Sequence, residues 1–178
     1  VYPNGNAIEG QVIGTGRYIT PGISGIDPET GQGDPALEWT LGAEAAEVEL
    51  DPADGTWRVV RLSGCIDAGR VVNPMLARGQ FEGAMQMGIG FARTEGFLFD
   101  ASQRAINGEL RHFKLPRFGE QPEFLVSFLE TPQAGGPAGA RGMGEQGIIG
   151  IPGALSNALS AAAGRPMNRL PLTPERAW

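Results

Sequence analysis

The 178-residue chain carries 14 Lys and Arg against 20 Asp and Glu, a net charge of −6, with 41% hydrophobic residues and a single cysteine, Cys65. That apolar content suffices for one folded core, and an acidic chain without a basic run lacks what a general nucleic-acid binder needs to neutralise phosphates. One cysteine excludes an internal disulfide framework and a thiolate metal cluster, and the apolar runs are too short and glycine-rich to span a bilayer. We expect a soluble piece without a membrane span.

The sequence starts at Val1 in mid-pattern, like a strand that has lost its partner, so the expectation is a fragment or a processed subunit. Gln11 to Ile19 reads as a strand, and ISGIDPETGQGDP after it as a surface loop. Then EWTLGAEAAEVELD and TWRVVRLSGCID flank DPADG, in which proline pre-sets φ and glycine supplies a positive φ. This predicts a β-hairpin. Asn73-Pro74 follows, an N-cap before a proline at the first helical position, and predicts a helix from Pro74 to about Arg93. Gln80, Gly83, Ala84, Met87 and Gly88 recur at helical spacing, giving one small, flat face with a single amide at its start. Something outside the helix can press against such a face.

Short strands are expected at Glu95 to Phe99, Glu109 to Phe113 and Glu123 to Glu130, with FLFDASQRAINGEL as a second hairpin. TPQAGGPAGARGMGEQG reads as a long glycine-rich loop and IPGALSNALSAAAG as a helix of small residues ending at Gly164. Thr173-Pro174-Glu175 predicts an N-cap and one terminal helical turn in an otherwise extended tail. Antiparallel hairpins with two glycine- and alanine-rich helices define an α+β class, taken as one domain over residues 1–178.

GMGEQG, Gly142 to Gly147, fits the G-x-G-x-x-G pattern of dinucleotide binding. That reading needs a strand running into the first glycine and an acidic residue about 20 positions on, and this sequence offers neither. Glu145 would also repel a pyrophosphate. Two readings of Glu145 stay open: an acidic residue favourable near a helix start, or a carboxylate beside a cavity whose desolvation raises its pKa and makes it a general base. His112, the one histidine, lies in a predicted strand and assembles no catalytic triad. Asp67, Glu82 and Glu95 lack metal-ligand spacing, so no metal ligand is assigned to this chain.

Four motifs occur in order: D-x-G-x-x-x-N-P at Asp67 to Pro74, G-Q-x-E-G at Gly79 to Gly83, Q-x-G-x-G at Gln86 to Gly90, and G-x-G-E at Gly142 to Glu145. With FKLPRF and LPLTPERAW, they closely resemble the C-terminal part of the molybdopterin-binding large subunit of the xanthine dehydrogenase and aldehyde oxidase family of molybdenum hydroxylases. The resemblance implies oxidation of an aldehyde or N-heterocycle with water as the oxygen source. By it, Glu145 matches the active-site glutamate beside the molybdenum, which takes up a proton. Gln80 matches a glutamine that hydrogen-bonds the pterin, while Gly79, Gly83, Gln86 and Gly144 line the cofactor. The cofactor implied is molybdopterin, plain or as the cytosine dinucleotide, carrying molybdenum through its own dithiolene. Iron–sulfur clusters, and in some members FAD, sit on partner subunits. The N-terminal part of the molybdopterin subunit is a further implied partner, so the chain alone is expected to be inactive. The setting is cytoplasmic, or periplasmic where a partner carries it across. A second hypothesis from a different class is a non-catalytic assembly module that keeps the family fold.

Overall fold

The computed structural model describes residues 13–177, and the chain divides into two units, Val1–Leu37 and Glu38–Trp178. In the first unit the described residues form neither helix nor strand. The predicted strand Gln11 to Ile19 is irregular from residue 13 onward, and its first two positions lie outside the described residues, as does the partnerless start at Val1. The loop that follows is ordered by its own polar groups. Asp27 Oδ1 accepts from the backbone N–H of Glu29 at 2.8 Å and of Thr30 at 3.0 Å, an Asx turn that replaces ladder pairing.

The second unit is built on a three-stranded sheet of order β1-β2-β3, with β1 at Gly42–Leu50, β2 at Trp57–Asp67 and β3 at Glu123–Leu129. β1 and β2 run antiparallel around a tight turn in which the Asp51 N–H meets the Thr56 carbonyl at 2.7 Å and Gly55 holds φ at +73°. A bulge between Glu47 and Val48 shifts the register. β3, however, pairs with β2 in parallel, from Arg61↔Glu123 to Asp67↔Leu129. Parallel pairing requires a crossover, here α1 (Pro74–Arg93) and the segment after it, so the sheet is mixed rather than a set of hairpins. The class remains α+β.

α1 starts where local chemistry dictates: the Asn73 side chain accepts from the Leu76 N–H at 3.1 Å and Pro74 occupies the first turn. Its core face, Ala77, Phe81, Ala84, Met85, Gly88, Ile89 and Ala92, is buried. The flat face expected from spacing therefore splits. Ala84 and Gly88 turn toward the core, and a Cβ on Gly88 would lie 2.7 Å from the Cβ of Ile151 on α4 (Ile151–Ala163), while Gln80, Gly83 and Met87 stay exposed. Phe81 is clasped between two glycines. A Cβ on Gly64 of β2, or on Gly147 of the four-residue helix α3 (Gln146–Ile149), would come within 2.7 Å of its ring.

Two predicted strands are absent from the structure. Glu95 to Phe99 and the expected second hairpin reduce to one isolated bridge, Phe99↔Ala105. The segment is closed by Asn107, whose buried carboxamide donates to the Gly96 carbonyl and accepts from the Leu98 N–H. Glu109 to Phe113 instead forms one helical turn, α2 (Leu110–Phe113), started by extended Glu109 and stopped by Lys114 at φ +68°. His112 thus lies exposed on a helical turn, 3.8 Å from Glu109. The tail is docked through its core contacts. Leu172 is fully buried, its N–H reaches the Ala92 carbonyl at 2.7 Å, and its carbonyl accepts from the Trp57 indole at 2.9 Å before α5 (Pro174–Ala177). Among the described residues no helix is long and apolar enough to cross a membrane.

Candidate functional site

The glycine-rich loop from Thr131 to Gly147 is tied down along its length. Asp67, at the end of β2 and 7% exposed, accepts from the Gly69 N–H at 3.0 Å and the Thr131 N–H at 3.1 Å. The Thr131 N–H, then the Gly69 N–H and the Arg141 charge, hold the Asp67 carboxyl below its ordinary 3.8 against the opposing effect of burial. Arg141 lies between Asp67 at 3.6 Å and Glu38 at 3.5 Å, and Glu38 also accepts from the Gly142 N–H at 2.8 Å. The strand-end segment and the loop exchange backbone bonds too: Arg141 N–H to Ala68 O at 2.9 Å and Arg70 N–H to Gly139 O at 2.9 Å.

This clamp is the part of the site that motif reading missed. Asp67 was visible as a motif residue, but nothing in the sequence links to it either Glu38, 29 positions before, or Arg141, 74 positions after.

The clamp delivers Gly142–Glu145 to the start of the exposed face of α1. There the Gln80 Nε2 donates to the Gly144 carbonyl at 2.5 Å, so the structure brings together Gln80, Gly144 and Glu145. Gly79 and Gly83 lie on the same exposed stretch of α1. A Cβ built on Gly79, Gly83 or Gly144 meets nothing within 4 Å. Gln86 is half-buried at the edge of the stripe, and its Oε1 has no hydrogen-bond partner. Around the polar stripe the helix exposes Met75, Leu76, Met87 and Phe91, between 52% and 76%.

Glu145 occupies the N-cap position of α3 with φ −132° and ψ 11°, makes no side-chain capping bond, and is exposed. The expected cavity beside it is therefore not formed by the described residues. The carboxyl that the chain does bury nearby is Glu44 of β1, pushed up from its ordinary 4.5 to about 7 by burial, with the Gly150 N–H opposing. Its Oε2 is inaccessible to solvent and lacks a properly aligned donor. Glu44 borders a pocket of about 200 Å³ together with Thr40, Phe81, Gln146 and Gly150. Among the described residues no group of three His, Cys, Asp or Glu side chains converges as a metal site.

An exposed, glycine-lined helix face is thus joined by an amide to a clamped G-x-G-E loop. The chain belongs to the molybdopterin cofactor-binding domain family, whose profile matches residues 4–122. More particularly, it is similar to part of the molybdenum-binding large subunits of the xanthine dehydrogenase and aldehyde oxidoreductase group. It is 37% identical over 148 residues to the gamma subunit of the 6-hydroxypseudooxynicotine dehydrogenase complex of Paenarthrobacter nicotinovorans, covering 80% of this chain and 18% of that one. It is 33% identical over 139 residues to a putative xanthine dehydrogenase molybdenum-binding subunit of Escherichia coli, covering 78% and 18%. Among solved structures, the aldehyde oxidoreductase of Desulfovibrio gigas superposes with a TM-score of 0.77 at 29% identity, covering 87% of this chain and 17% of that one. The chain thus spans under a fifth of the length of these relatives.

Proposed function

We propose that this chain is the C-terminal, glutamate-bearing portion of the molybdopterin-binding subunit of a molybdenum hydroxylase, which oxidises an aldehyde or N-heterocycle with water as the oxygen source. The observation that carries the reading is the stripe of Gly79, Gly83 and Gly144. Glycine on a helix surface costs about 0.5–1 kcal/mol relative to alanine, and among the described residues no neighbour requires it at Gly79 or Gly83. The absent Cβ atoms leave room for a body outside the chain, and a flat polar heterocycle fits that room.

The residues present fit molybdopterin. Gln80 spends one N–H on Gly144 and keeps its Oε1 and second N–H for a planar donor–acceptor edge. The unpartnered Gln86 Oε1 accepts a further donor. When bound, the cofactor, plain or as the cytosine dinucleotide, supplies the electrophilic and redox chemistry. Glu145 supplies a carboxylate that accepts one proton from the attacking oxygen. The rest of the subunit covers the exposed apolar residues of α1, excludes water from Glu145 and shapes the substrate pocket. Iron–sulfur clusters on a partner subunit, with FAD as in some members of the family, carry the electrons away.

The test is Glu145→Gln in the assembled enzyme, made by co-expressing the chain with the polypeptide that completes the subunit. Turnover is expected to fall by at least a thousandfold, a loss of about 4 kcal/mol of transition-state stabilisation, with molybdenum content unchanged. Retained turnover refutes the role. Stoichiometric molybdenum on the chain purified alone refutes the need for a companion.

A further inference from the structure

We propose that Glu44 is a positioning residue for Glu145, acting through Gln146 and the corner between α3 and α4; the proposal rests on the reading of Glu145 as the base. Three observations carry it. First, Gln146 directly follows Glu145, and its carboxamide nitrogen is committed to the Gly142 carbonyl at 2.8 Å and the Thr40 hydroxyl at 3.3 Å. This fixes the Gln146 Oε1 as a solvent-inaccessible acceptor without a donor. Second, the Glu44 Oε2 is likewise inaccessible and makes no well-formed hydrogen bond, the carboxyl meeting the Gly150 N–H alone, and both residues line the same pocket of about 200 Å³. Third, Glu44 presses on the corner itself: a Cβ on Gly150, which caps α4 at an ordinary φ of −87°, would collide with the Glu44 carboxyl. Gly150 is glycine to admit that carboxyl, not to reach an unusual backbone angle.

Two buried acceptors bordering one pocket need a proton between them. Protonated Glu44 is the carboxylic acid on that pocket wall, beside the Thr40 hydroxyl that receives the Gln146 Nε2. Its O–H donates toward the Gln146 Oε1 through a water, for which the pocket has room at about 30 Å³ per molecule. Deprotonation removes the donor, sets a carboxylate against the amide oxygen, and loosens the segment that begins at Glu145.

The other groups facing Glu44 do not substitute for this proton. Cys65 of β2 borders the pocket as a half-buried free cysteine, and α3 and α4 with the corner between them present Gln146, Ile149 and Gly150. Arg78 of α1 shares a wider trough with Glu44 but is paired with Glu82 at 2.7 Å.

Two readouts test the coupling. In the isolated chain, carbon-detected NMR is expected to show the Glu44 carboxyl titrating near its raised value of about 7, with the Gln146 side-chain amide signals moving at the same midpoint. In Glu44→Gln, whose amide donates at every pH, the Gln146 signals should stop titrating. In the assembled enzyme, wild-type kcat should fall about 10-fold per pH unit above that midpoint with KM little changed, and Glu44→Gln should abolish this alkaline fall. Gln146 signals that ignore the Glu44 titration, or an unchanged alkaline fall in Glu44→Gln, overturn the proposal. The NMR readout needs no turnover, so an active Glu145→Gln enzyme would sink the base assignment and leave this coupling to be judged separately.

Discussion

The two faces of α1 use the same residue type for opposite reasons. On the core face, Gly88 is glycine because Ile151 of α4 occupies the space a side chain would need, and Phe81 lies between Gly64 and Gly147 on the same principle. On the outer face, Gly79 and Gly83 are glycine with nothing beside them. The first kind of glycine is explained by the chain's own packing. The second kind is not explained by the packing of the described residues.

That contrast can be broken experimentally, beginning with the core. Phe81→Ala removes the ring that ties β2, α1 and α3 together, and chemical denaturation should register a loss of about 3–5 kcal/mol. Gly88→Ala overpacks against Ile151 and should cost about 1–3 kcal/mol in the same assay. Gly83→Ala should change sign: the isolated chain gains about 0.5–1 kcal/mol from helix propensity, while the assembled subunit loses molybdenum retention. A Gly83→Ala subunit that keeps its metal would remove the argument for the outer face.

The smallest effects are pH-dependent, and they oppose one another. Asp67, held below 3.8, contributes stability present above that value and lost as pH falls through its folded pKa, so Asp67→Asn should flatten the acid limb of a thermal-melt series. Glu44, raised from 4.5 to about 7, binds its proton more tightly when folded, so stability is full below 4.5 and declines as pH rises toward 7. Melting temperatures measured across that interval should fall with pH in the wild type and stay level in Glu44→Gln.

Local rules carried much of the architecture. Asn73-Pro74 announced the start of α1 and Gly164 the end of α4, because a cap and a left-handed C′ residue are decided within a few positions. They failed at Glu109 to Phe113. A five-residue segment with two apolar side chains has no period of its own there, and Asn107 closes the preceding segment without a strand ladder. They failed again for β3, whose direction depends on the path of α1 and not on β3 itself. In the candidate site, Gln80 and the G-x-G-E loop were readable as motifs, but their meeting through Gly144 was not. Nor was the clamp of Glu38, Arg141 and Asp67, since ion pairs across 74 and 103 residues leave no periodic trace.

By itself, then, the sequence determined α1, α4 and α5, the cap that starts α1 and the glycine that ends α4, the family, and the motif residues of α1 and the G-x-G-E loop. Those rest on interactions between near neighbours and on ordered motifs. Only the tertiary structure decided that the sheet is mixed, that Ala84 and Gly88 of the expected flat face are buried, and that Asp67 and the Oε2 of Glu44 are enclosed while Glu145 is exposed. Burial and chain direction belong to the assembled fold, because solvent exclusion depends on every element that packs around a side chain and not on the residues beside it in sequence.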